Sequence, residues 1–150
     1  GILLVALTGF LFMAPGAVMV AGLVTRRQNG HIAIAGPLVN FGLFLIGIPL
    51  GGLILGLTGA ESSGDLSYLS GSAINLKAML FDCVMFWIMA NLILGTFNMI
   101  PFGPLDGAKI KDWNEPVWFA TFGIFIVTIY LWWSGIFSPI ELAISIAELF

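Results

Sequence analysis

Residues 33–57 read AIAGPLVNFGLFLIGIPLGGLILGL, a stretch with no charged side chain. It exceeds the roughly 18 apolar residues at which a helix becomes a candidate to cross a bilayer. Working outward, residues 1–25, 32–60, 83–105 and 116–140 all lack Asp, Glu, Lys and Arg. The chain as a whole is 59% hydrophobic and 9% charged, with a mean hydropathy of +1.07 over 150 residues. A soluble domain carries about a quarter charged residues, and one of this length could not bury so much apolar side chain. The pattern describes an integral membrane protein: an all-α, polytopic bundle of transmembrane helices.

Several function classes fall away on composition. Five Lys and Arg against eight Asp and Glu leave no basic patch for nucleic acid. The single cysteine, Cys83, permits no disulfide framework or thiolate cluster and reads as a small helix residue. Nineteen glycines suit close helix packing or broken backbone at membrane depth.

The expected organisation is one membrane domain over 1–150. Residues 1–13 read as the end of a helix, broken at Pro15-Gly16. Residues 14–31 are expected to form a membrane-edge segment. Within it, the Val-rich run 17–24 and the turn pair Asn29-Gly30 suggest a short re-entrant or membrane-edge β segment. Spans are expected at 33–57, 76–98 and 116–136, and a polar loop with Glu61 and Asp65 at 58–75. Residues 98–107 cannot continue a regular helix, and 138–150 suggest a short amphipathic one. Trp113, Trp118, Trp132 and Trp133 are placed where an aromatic belt would lie. The chain begins Gly1-Ile2-Leu3-Leu4-Val5, without Met or a charged flank, so a fragment cut inside a hydrophobic helix is expected.

The basic residues set an expected orientation. Arg26 and Arg27 precede one span while Lys109 and Lys111 follow the next, so both pairs share a face, expected to be cytoplasmic. Lys77 falls on the opposite side. Asp82, Asp112 and Glu115 flank spans and read as solvated, and His31 as an interfacial residue.

Asp106 stands out because it follows an uncharged run and sits among Pro and Gly. A carboxylate at that depth is costly and is a functional-site candidate by default. A helix-capping role near Gly107, or a solvated loop position, fits the same location. Asn98 could hold an extended peptide backbone or cap its helix. Asn40 needs a hydrogen-bonding partner at membrane depth and suits packing between helices.

Two stretches together resemble a known family. Asn98-Met-Ile-Pro101-Phe-Gly-Pro-Leu-Asp106-Gly107 resembles the N-x-x-P-x-x-x-L-D-G motif of site-2 proteases, zinc metalloproteases that cut substrates within the membrane. Ala35-Gly36-Pro37-Leu38-Val39-Asn40 is similar to the family's A-G-P-x-x-N motif, and Pro15-Gly16-Ala17-Val18 with Asn29-Gly30 to its membrane-edge segment. The resemblance implies that Asp106 is a zinc ligand and that Asn98 helps hold the substrate. It also implies that Gly36, Pro37 and Asn40 pack near the site, that Pro101 and Gly107 complete the motif, and that 17–24 could receive an unwound substrate by strand addition. Zinc would take three protein ligands, activate a water and polarise the scissile carbonyl, with a glutamate as general base.

The family's His-Glu-x-x-His helix, which supplies two ligands and that base, is absent from these 150 residues. No catalytic residue is therefore assigned within the chain, which alone should neither hydrolyse peptides nor bind zinc. The implied partners of the full protein are a membrane-embedded protein substrate and the lipid bilayer, and its implied location is a prokaryotic plasma membrane. A non-catalytic scaffold of the same fold and a transporter fragment are the alternatives. Inverted repeats would favour the transporter, and no repeat is evident.

Overall fold

The computed structural model describes residues 25–60 and 75–150. They form five helices: α1 (Arg26–Thr58), α2 (Leu76–Asn98), α3 (Asp106–Trp113), α4 (Glu115–Trp133) and α5 (Pro139–Ala147). Among the described residues α1, α2 and α4 are long and apolar enough to cross a membrane, consistent with an integral membrane protein. No strand occurs among them. The strand-like run 17–24, the segment 1–13 and the loop acids Glu61 and Asp65 lie outside the described residues.

The start of α1 corrects the sequence reading. Asn29 and Gly30 do not turn the chain; they lie in the opening turns of the helix. Thr25 Oγ1 accepts from the Gln28 amide at 3.3 Å while Gln28 Oε1 accepts from the Thr25 amide at 3.0 Å. This capping box satisfies the exposed donors of the first turn and fixes the helix start. Gly30 serves a different purpose from a turn. A β-carbon there would overlap the indole of Trp113, so the glycine lets α3 lie directly on α1. The resulting helix of 33 residues is about 50 Å long, well beyond the roughly 30 Å hydrocarbon core.

α1 is the spine of the bundle. α2 runs antiparallel to it: Asn40 lies against Gly95, Gly47 against Trp87 and Ile88, and Gly51 against Val84. The C-terminal half of α1 packs on α5, where Gly52 and Gly56 meet the carbonyls of Ala143 and Ala147. Small residues at these crossings allow the backbones to approach, which substitutes for the hydrophobic drive that lipid does not supply. Phe44, Ile88, Leu92, Met99, Ile110 and Phe125 form the fully enclosed centre.

Local chemistry sets the remaining boundaries. α2 ends at Asn98, three residues before Pro101, whose missing amide hydrogen cannot continue a helix. Asn114 caps α4 by accepting from the Val117 amide at 3.1 Å. α4 closes at Trp133, three residues short of the expected end, because Gly135 turns left-handed at φ +73°. Of the four tryptophans placed in the expected aromatic belt, three pack against the protein, with Trp132 half-buried against the core. Trp118 is buried, and Trp113 is half-buried against Gly30 and His31.

Candidate functional site

Asp106 opens α3, where its charge complements the positive end of the helix dipole. Its Oδ1 accepts from Lys109 Nζ at 2.9 Å, a pair about three-quarters withdrawn from solvent. Its Oδ2 faces Gly36 on α1, where a β-carbon would stand 3.4 Å away. Gly36 lies ten residues beyond Arg26, about 15 Å along the helix axis. The carboxylate is therefore level with the uncharged stretch of α1, not with its basic start. From there α3 runs outward to Trp113, which meets Gly30.

The charged end of the bundle is knitted by exposed ion pairs. Arg26 Nε lies 3.7 Å from Asp112 Oδ2, and Lys111 Nζ 3.8 Å from Glu115 Oε1. Both acids are mostly solvated, as expected of groups flanking a span. His31 belongs to this end too, edge-on to the Trp113 ring with centroids 4.5 Å apart. Asp82 and Cys83 neighbour Val84, which faces Gly51, and so stand away from the site along α2.

Asn98 is the last residue of α2, with Met99 as the cap. It is 7% exposed, the one buried polar or charged residue among those described. The backbone beside it is held tightly. Trp118 Nε1 on α4 donates to the Met99 carbonyl at 2.9 Å. Gly107, next to Asp106, lies against the same carbonyl so closely that a β-carbon would collide with it. The residues following Asn98 and Asp106 thus touch at their backbones, which folds the eight-residue interval into a closed loop.

The A-G-P-x-x-N stretch lines the other side. Pro37 is fully buried, and its missing amide hydrogen leaves the Ala33 carbonyl without its usual helical donor. Asn40, one turn beyond Gly36, lies against Gly95 of α2. Pro101 is exposed in the broken stretch. Two motifs some sixty residues apart in sequence therefore converge on one end of the bundle. Two participants were not evident in the sequence as such: Lys109, whose i,i+3 spacing from Asp106 was the available signal, and Trp118, for which there was none.

A carboxylate is a suitable zinc donor, but a zinc site needs three protein ligands. Among the described residues no group of three or more His, Cys, Asp or Glu could hold a metal. Asp106 is one donor without companions, so these residues do not form a zinc site by themselves.

A protein of Methanocaldococcus jannaschii named "Putative zinc metalloprotease" is 34% identical to this chain over 119 residues. The likeness fits a protease family. The aligned part is 79% of this chain and 52% of the relative, so the chain spans about half the length of the curated relative it matches. No family model matches the chain, and no solved structure matches it. The name of that relative suggests zinc in the family, while the described residues contain no cluster of three or more His, Cys, Asp or Glu that could hold a metal.

Proposed function

We propose that this chain is part of an intramembrane zinc metalloprotease of the site-2 type, which cleaves membrane-embedded peptide substrates. The observation that carries the reading is the meeting of Gly36 and Asp106, which joins both motifs at one carboxylate inside the apolar level of the bundle. In this reading Asp106 contributes one zinc ligand and Asn98 holds the substrate backbone. The remaining two ligands and the general base come from a His-Glu-x-x-His helix that these 150 residues do not include. On its own the chain is then inactive and holds no zinc.

The basic end formed by Arg26, Arg27, Lys109 and Lys111 faces the cytoplasm of a prokaryotic plasma membrane in this reading. α3 leads from Asp106 toward that end, where Trp113 meets Gly30. The test is made on the natural full-length protein, by measuring bound zinc and cleavage of a membrane-embedded substrate. One zinc per chain, lost together with cleavage in Asp106→Ala, is the expected result. A full-length protein that lacks zinc and cleaves nothing would overturn the reading and leave a scaffold of the same fold.

A further inference from the structure

We propose that Trp118 is the positioning residue that keeps Asn98 and Asp106 in register, acting through the Met99 carbonyl. The proposal rests on the protease reading for its activity readout, but its geometric basis is independent of it. Met99 is the helix cap, so its carbonyl belongs to the group at a helix end that has no intrahelical donor. The Trp118 indole supplies the donor at 2.9 Å from a separate helix, and the bond is buried. A buried carbonyl left unpaired costs far more than the net gain of pairing it, so the loop is held to the arrangement that keeps this bond.

That one carbonyl is also the surface on which Gly107 rests, with no room for a β-carbon. Asn98 is therefore one residue from the clamped group, and Asp106 is one residue from the glycine pressed upon it. Moving the Met99 carbonyl displaces both candidate side chains together. The indole is itself confined. The Phe122 ring stacks with it at 5.3 Å between centroids, Phe119 meets it edge-on at 4.7 Å, and Lys111 Nζ lies 5.1 Å from its centre. Trp118 thus reaches the site from α4, outside both motifs, through the backbone at Met99.

The test is a double-mutant cycle in the full-length protein, using Trp118→Phe, Asn98→Ala and the pair. Phenylalanine keeps a ring in the pocket and removes the donor. Small misplacements of a reacting constellation can cost up to about a hundredfold in rate, so Trp118→Phe is expected to lower kcat by about ten- to a hundredfold. Because the clamp holds Asp106 as well as Asn98, part of the Trp118→Phe loss persists in the Asn98→Ala background, and the combined loss is expected to fall short of the product of the two single losses by at least about threefold. Multiplying losses would overturn the proposal and leave Trp118 a packing residue. Phe125→Leu, equally buried on the same helix against Gly95, is the comparison for which losses should multiply. Should Asp106→Ala leave cleavage intact, the protease reading fails, and a second measurement still decides the clamp. In 5-fluorotryptophan-labelled protein, Gly107→Ala is expected to shift the Trp118 fluorine resonance and leave that of Trp132 in place. An unmoved Trp118 resonance would overturn the proposal.

Discussion

Gly36 faces Asp106 so closely that a β-carbon on the glycine would stand 3.4 Å from carboxylate Oδ2. No other heavy atom crowds that position, so a side chain at 36 would meet the acid first. The contact joins a span to a short helix some seventy residues later in the chain. It places an ionisable group beside the backbone of α1, level with the uncharged stretch of that helix.

Gly36→Leu is expected to leave the bundle folded and block the site. The glycine is exposed and meets only the carboxylate, so a larger side chain displaces Asp106 or covers it without entering the core. Thermal unfolding in detergent should change little, while zinc retention and cleavage by the full-length protein should fall at least as far as in Asp106→Asn. A leucine variant with full activity would mean that the face of Asp106 toward α1 is not used.

Gly107→Ala should differ in its effect on stability. Its methyl would collide with the Met99 carbonyl, which is itself pinned by Trp118, so backbone must move. Overpacking of this kind costs about 1–3 kcal/mol. The variant should therefore lower the midpoint of unfolding as well as disturb the site. An unchanged midpoint would show that the loop yields without resistance.

Much of this architecture could be read before any coordinates, because lipid imposes a simple rule: spans must be long and free of charge. α1, α2 and α4 follow from the uncharged runs 32–60, 83–105 and 116–140, although α2 begins earlier and takes in Lys77 and Asp82. Boundaries were less legible where two local signals competed. Asn29-Gly30 carries a turn signature, yet Thr25 and Gln28 carry the spacing of a capping box, and the box sets the helix. The glycine answers to Trp113, a contact across more than eighty residues that no local pattern reveals. The inward packing of Trp118 is hidden from the sequence for a related reason. An aromatic near the end of a span looks the same whether it meets headgroups or a backbone carbonyl of another helix. The spacing of Asn98 and Asp106 was plain, but the carbonyl clamp that couples their backbones was not.

Thr25→Ala tests the corrected helix start. Removing the hydroxyl deletes half of the capping box and should destabilise the protein by about 1 kcal/mol. The loss should appear as faster amide exchange confined to the first turn of α1, near Arg26 to Gly30. Unaltered exchange there would mean that the contact between Gly30 and Trp113 alone holds the helix end.

Lys109→Met separates the charge beside Asp106 from the shape of α3. The substitution leaves the Asp106 carboxylate, about three-quarters withdrawn from solvent, without its ion-pair partner, so the midpoint of unfolding should fall. The local field changes too, because the lysine amine is the one cation within salt-bridge distance of Asp106 among the described residues. In the protease reading the amine competes with a metal ion for Oδ1. Its removal is expected to tighten zinc binding by the full-length protein, measured by competition with a chelator. Weaker binding in Lys109→Met would show the reverse: that the lysine holds the carboxylate in its ligand position and that the ion pair persists when the metal is bound.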